Sequence, residues 1–277
     1  MFKELFCLCL VTYLCCETEA YIQVKEKEFY YNGTKVFLSG ANIAWNELGK
    51  DWGNGKYWEH RAKMNEWLSG ISAHGGNVAR VWLHFSGDIS PQFDSHGYVV
   101  GTDNQKDLVK ELQALMDDAQ KHNVFIILCM FTNTMLKNHQ GFITDESKIQ
   151  SYIDKALVPM VEGLKGKKAL AAWEIENEPE GAMDIWTKES DPNTCFDIYR
   201  WQKSNKGMGY QAKFPIKRIL RLFNWISSAI HTADPSALVS VGTWNPKTNT
   251  HECSDCFNLY QDQCLVAAGG KANGVMD

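Results

Sequence analysis

The 277-residue sequence has no apolar run of the ~20 residues that a membrane-spanning helix needs. The longest, residues 5–16, holds twelve. It has no basic excess either, with 28 Lys and Arg against 33 Asp and Glu and a net charge of −5. That balance gives no electrostatic reason to expect a nucleic-acid or anionic-membrane partner, and it points to a neutral substrate. A glycine-rich G-x-G-x-x-G turn is missing after the first strand candidate, which argues against a dinucleotide-binding sheet. Internal repeats, low-complexity tracts and domain linkers are lacking too. Disorder is excluded by a composition that is 44% hydrophobic and 12% aromatic, ample for one large core.

The apolar run at 5–16 follows Lys3 and ends at the small residues Thr18 and Ala20. This is the layout of a secretory signal peptide over 1–20, with the mature domain spanning 21–277 in an oxidising compartment. Four of the nine cysteines fall in that leader. Of the remainder, Cys129 sits in an apolar strand pattern and reads as a buried free thiol. Cys195, Cys253, Cys256 and Cys264 suit two disulfides, in any of three connectivities. A zinc site made of His251, "HECSDC" and Cys264 is the rival reading, weakened because no second spaced pair completes it. Asn32 in "NGT" is a glycosylation sequon.

"EFYYNGTKVFLSG" predicts a β-hairpin turning at Asn32-Gly33. Apolar strands are then predicted at 37–45, 78–85, 124–131, 171–178 and 238–244. Between them, helical stripes run through Met64, Trp67, Leu68 and Ile71, through Leu108, Leu112, Leu115, Met116 and Ala119, over 148–164 and over 215–232. Alternation of this kind means a parallel sheet covered by helices. Without a dinucleotide turn, and with Asn42, His84 and Glu178 clustering at strand C-terminal ends, a (β/α)8 barrel is the expected fold. The repeat is at least forty residues, so eight units need roughly 350 residues, and the sequence reads as the first five to six strands of a barrel. Residues 181–214 form a long excursion over the barrel mouth, with Trp186 and Trp201 as loop core.

"LAAWEIENEPEGA" places four glutamates, Glu174, Glu176, Glu178 and Glu180, on or just after a strand that should shun charge. By strand alternation Glu174, Glu176 and Glu178 share one face, with Glu178 at the mouth. Alternation likewise puts Arg80, Trp82 and His84 on one face of the second strand. Carboxylates, a cation and aromatic walls suit a sugar, whose ring stacks on indoles while its hydroxyls need converging polar groups; Trp45, Trp82, Trp173 and Trp244 all lie near strand ends. Cleaving a glycosidic bond takes two carboxyl groups, one of them acting as acid and base. Glu178 is the candidate for that role, and Asn177 for a contact to the sugar 2-hydroxyl. Each has a plainer reading: Glu178 and Arg80 as a structural ion pair, His84 as a backbone-bonded histidine, Glu174 and Glu176 as a buried supporting network.

Asn177-Glu178-Pro179 within "WEIENEP", together with "LSGANIAW" and "NVARVWLHF", resembles glycoside hydrolase family 5, in particular its animal endo-β-1,4-mannanases. The resemblance covers 21–277. It implies a retaining hydrolase of β-mannan or a related polysaccharide, secreted and monomeric, needing no cofactor or metal. Glu178 would be the acid/base, Asn177 would touch the sugar, and Arg80 would hold the nucleophile charged. Trp82, His84, Trp244, Trp45 and Asn42 are the candidate substrate contacts. The family's nucleophile at the end of strand seven, and the His/Tyr pair after strand six, have no counterpart in the sequence. Glu252 and Asp277 are not credible replacements, so these 277 residues are expected to be inactive alone. A cellulase or other β-1,4-glycanase is the alternative within the family. The alternative of another class is a non-catalytic carbohydrate-binding or degenerate product.

Overall fold

A computed structural model of the chain describes residues 21–183, 194–197 and 214–277. The expected leader, most of the loop excursion, Trp186 and Trp201 lie outside the described residues.

The chain enters through three short antiparallel strands, β1 (Gln23–Lys25), β2 (Glu28–Tyr31) and β3 (Thr34–Val36). Asn32 and Gly33 turn between β2 and β3 with φ of 48° and 72°, the left-handed pair that a two-residue hairpin requires. Tyr31 packs edge-on against Phe125, ring centroids 5.0 Å apart, which seats the hairpin beneath the start of a central strand.

Five parallel strands follow: β4 (Gly40–Ile43), β5 (Val78–Trp82), then, after a small hairpin of β6 (Gln92–Phe93) and β7 (Val99–Gly101), β8 (Phe125–Phe131), β9 (Leu170–Asn177) and β10 (Val239–Gly242). They lie side by side in chain order, β4-β5-β8-β9-β10, every pairing parallel. A doubly wound sheet reverses its strand order at a switch point. This one never does, which is the behaviour of consecutive barrel strands and agrees with the expected fold. Asp277 meets the start of β10, its N–H 3.0 Å from the Val239 carbonyl oxygen.

Helices cover the sheet because their apolar stripes match it. Helix α1 (Lys56–Ala73) buries Tyr57, Met64 and Leu68, and α2 (Leu108–Lys121) buries Leu108, Leu112, Leu115, Met116 and Ala119. The Ile216–Ala233 helix starts immediately after Pro215, as expected. The predicted helix over 148–164 comes in three pieces, Glu146–Tyr152, a π-helical turn at Ile153–Leu157, and Val158–Leu164. Pro159 lacks the N–H that would continue the α-helical ladder, so the wide turn forms just ahead of it.

Among the described residues the cysteines pair as Cys195–Cys264 and Cys253–Cys256, leaving Cys129 as a buried free thiol. Both thiols of "HECSDC" are thereby consumed, which overturns the zinc alternative. Among the described residues no group of three or more His, Cys, Asp or Glu could hold a metal ion.

Candidate active site

At the C-terminal end of the sheet, Arg80 on β5 reaches across β8 to β9. Its Nε donates to Glu174 Oε2 at 2.9 Å while Nη2 donates to Glu174 Oε1, a two-pronged fork. Nη1 donates to Asn42 Oδ1 at 3.2 Å, and Nη2 also lies 2.9 Å from Asn177 Oδ1 and 3.6 Å from the Cys129 sulfur. Burial works against the guanidinium charge, but the Glu174 carboxylate outweighs it and holds the proton more firmly than usual. Burial, reinforced by Glu174, keeps the Cys129 thiol protonated. Because a guanidinium can only donate, the bond to Oδ1 fixes which way the Asn177 amide points, with its NH2 turned from Arg80.

Strict alternation on β9 would not bring Glu174 and Asn177 to the same arginine. Ser240 on β10 pairs with Glu174 and Gly242 pairs with Asn177, so three steps on β9 match two on β10. This bulge rotates the strand end and swings Asn177 onto the Glu174 face. The expectation that Glu174, Glu176 and Glu178 line one face is corrected accordingly. Glu176 is fully buried, neither of its oxygens has a hydrogen-bond partner among the described residues, and burial with the nearby Glu180 pushes its carboxyl well above the usual range.

Glu178 follows the bulge with φ 54° and ψ 53°, a left-handed backbone on a residue that precedes proline. Such strain, worth about 1–3 kcal/mol, persists only where surroundings impose it, and it concentrates at functional sites. Three contacts impose it here. The Glu178 N–H donates to the Gly242 carbonyl at 2.6 Å. Its own carbonyl accepts from Asn133 Nδ2 at 3.1 Å and from the Gly181 N–H at 3.0 Å. The side chain is half-buried and within electrostatic reach of Arg80.

Gly242 has a second duty. A Cβ there would lie 2.3 Å from Glu174 Oε1 and 3.1 Å from Arg80 Nη2, so only glycine leaves room for the fork. A glycine inside an apolar strand pattern is the signal of such a close approach. Asn133 gave no comparable signal.

The indoles divide. Trp82 donates through Nε1 to Asn42 Oδ1 at 2.9 Å and lies under the Arg80 guanidinium, 5.0 Å from its ring centroid. Trp45 stands edge-on to Trp82 at 4.9 Å and to Phe85 at 5.2 Å, extending one aromatic wall. Trp244 is 50% exposed at the mouth side of β10. Trp173 is 1% exposed and belongs to the core.

His84 does not join Arg80 and Trp82. Strand β5 ends at Trp82, and the imidazole lies 1% exposed between Phe131 and Tyr152 with Nδ1 2.9 Å from Ser90 Oγ. Burial pulls it down to about 3, so it is neutral. Its expected role as a substrate contact is corrected to that of a core residue.

Glu252 and Asp277 are the two carboxylates rejected above as replacements for the nucleophile. Asp277 accepts the Val239 N–H at 2.8 Å and pairs with His231 at 3.0 Å, at the opposite end of β10 from Gly242. Glu252 is exposed in the loop of the Cys253–Cys256 disulfide.

Residues 31–264 match the family described as cellulase (glycosyl hydrolase family 5). The chain belongs to glycosyl hydrolase family 5. It is 47% identical over 262 residues to the mannan endo-1,4-beta-mannosidase of Cryptopygus antarcticus, an alignment covering 93% of this chain and 66% of that protein. The corresponding enzyme of Mytilus edulis is 40% identical over 262 residues, covering 93% and 70%. This family 5 chain therefore spans about two thirds of the length of these relatives. Among solved structures, the endo-1,4-beta-mannanase of Eisenia fetida superposes with a TM-score of 0.87 at 39% identity, over 93% of this chain and 71% of that one. The five-stranded sheet is thus part of a family 5 (β/α)8 barrel.

Proposed function

We propose that the protein is a secreted endo-β-1,4-mannanase of the retaining type, with Glu178 as acid/base. One observation carries the reading. At the end of a barrel strand, a half-buried glutamate is held in a strained backbone beside an asparagine oriented by a fixed guanidinium. In a retaining cycle Glu178 would protonate the departing glycosidic oxygen, and its carboxylate would then draw a proton from the water that releases the second product. Asn177, anchored through Oδ1, would spend its NH2 on a sugar hydroxyl. Trp82, Trp45 and Trp244 would supply apolar surface for pyranose faces, and Asn42, held by Trp82 and Arg80, would keep that wall in place.

Mannan as substrate is supported by the names of the relatives at 40–47% identity. The two disulfides fit an oxidising compartment, in keeping with secretion behind a leader at 1–20. The deciding experiment is hydrolysis of β-mannan and of a cellulosic substrate in parallel by the full-length protein and its Glu178→Gln variant. Mannan cleavage abolished by the substitution is the expected result. Preference for the cellulosic substrate would move the protein to another glycanase specificity, and activity persisting in the variant would remove Glu178 from the mechanism.

A further inference from the structure

Past the bulge the main chains of β9 and β10 can no longer pair, because Glu178 turns into the left-handed region and Pro179 has no N–H. The Gly242 carbonyl still takes the Glu178 N–H at 2.6 Å. Two residues further on, a side chain replaces the missing main-chain acceptor: the Trp244 N–H donates to Glu180 Oε2 at 3.0 Å. The other oxygen of Glu180 accepts from Tyr260 Oη at 2.9 Å and lies 2.8 Å from Thr248 Oγ1. Glu180 is 1% exposed, and all of these partners come from the segment after β10. One carboxylate therefore ties the turn carrying Glu178 to the loop carrying the half-exposed Trp244 indole.

We infer that Glu180 is a positioning residue, which sets the Trp244 indole at a fixed distance from Glu178 as a platform for a sugar ring of a bound β-glycan. The inference rests on the glycanase reading above. Glu180 does not touch the substrate; it acts through the Trp244 backbone. An exposed indole on an untethered loop must be ordered each time a sugar binds, and a tether removes that cost beforehand. A contact made equally in the ground state and the transition state changes KM and leaves kcat alone.

The test is a double-mutant cycle on the full-length protein, with mannohexaose as the probe and Glu180→Gln, Trp244→Ala and the double variant compared. A glutamine cannot accept on both sides, so either Trp244 or the Thr248–Tyr260 pair loses its acceptor. The expected result is a rise in KM of about tenfold for Glu180→Gln with kcat within about twofold, and a double variant no worse than Trp244→Ala alone. Amide exchange should accelerate at Trp244 and not at Glu178. Glu180→Asp, which keeps a buried carboxyl group but cannot span to the Trp244 N–H, should raise KM in the same direction and serves if the glutamine variant does not fold. An active wild type whose Glu180 variants keep the original KM, or single effects that multiply in full in the double variant, overturns this inference alone. A full-length wild type with no activity on mannohexaose overturns the glycanase reading and this inference with it.

Discussion

Among the described residues stand two arginine–carboxylate forks, with the same chemistry and opposite organisation. Arg61 on α1 grips Asp118 on α2 at 2.6 and 2.8 Å, and Asp118 also accepts from Tyr57, Asn65 and Lys121. There the carboxylate is the hub: its side chain is 2% exposed, while that of Arg61 is 41% exposed. In the fork at the strand ends the arginine is the hub, shared among Glu174, Asn42, Asn177 and Cys129. A carboxylate-centred cluster neutralises a buried anion and staples two helices. An arginine-centred one holds a fixed positive charge in a half-open space, aimed at whatever anion or dipole forms there. The hub, more than the pair, separates structure from chemistry.

The largest effect is expected beside the second fork. Glu178→Gln should cut turnover of β-mannan by about 10²–10⁴-fold, the range for general acid–base catalysis. The melting temperature should hardly move, because the Glu178 main-chain contacts survive the substitution. A proportional loss of folding and activity would make Glu178 a structural residue and collapse the contrast.

The same conservative change at both arginines tests the comparison directly. A lysine is a point charge and cannot reproduce a fork shared among several acceptors. Arg80→Lys should lower kcat by at least about tenfold, since Asn177 loses the donor that orients it. Arg61→Lys should leave kcat unchanged and cost about 1–2 kcal/mol at most, because Asp118 keeps Tyr57, Asn65 and Lys121. Kinetics paired with denaturant unfolding reads both. Equal kinetic losses at the two sites would refute the distinction.

Gly242→Ala probes the floor of the arginine-centred cluster. Its methyl would meet Glu174 Oε1 at 2.3 Å, and overpacking of that kind costs about 1–3 kcal/mol. Activity should fall with stability, as Glu174, Arg80 and the Glu178 anchor all shift. A neutral substitution would mean the fork is looser than its geometry.

Much of this was legible in the sequence, because strand alternation, helical stripes and the Asn-Gly turn each have a local physical cause. All five central strands, the hairpin and the free Cys129 thiol fall where the sequence places them. What was hidden depends on one non-local irregularity. A bulge forms by pairing two strands more than sixty residues apart, so nothing within "WEIENEP" announces that alternation fails between Glu174 and Asn177. The same limit misplaced His84: β5 ends at Trp82, and the imidazole is then claimed by Phe131 and Tyr152 from distant segments. Glu180 and Asn133 act on partners far along the chain and carry no periodic signature.

Glu176 extends the comparison to a buried carboxyl with neither an arginine nor any hydrogen-bond partner among the described residues. Burial first, and Glu180 second, raise its folded-state value well above that of an unfolded glutamate. As pH climbs through the ordinary carboxylate range, the unfolded chain releases this proton while the folded chain retains it. The folded state then binds more protons, so Glu176 makes stability fall with rising pH until the buried group itself ionises. Glu180, also raised chiefly by burial, adds to the same slope. Glu176→Gln removes the proton from both states. Its melting temperature should match the wild type in acid and exceed it increasingly toward neutral pH, because only the wild type loses the proton-linked term as the unfolded chain ionises. Asp118, held well below the usual range by its donors despite burial, should behave oppositely, its contribution vanishing as pH falls. A Glu176→Gln difference that stays constant from acid to neutral pH would show that the side chain finds a partner in solution, and the contrast between paired and solitary carboxylates would then fail at this position.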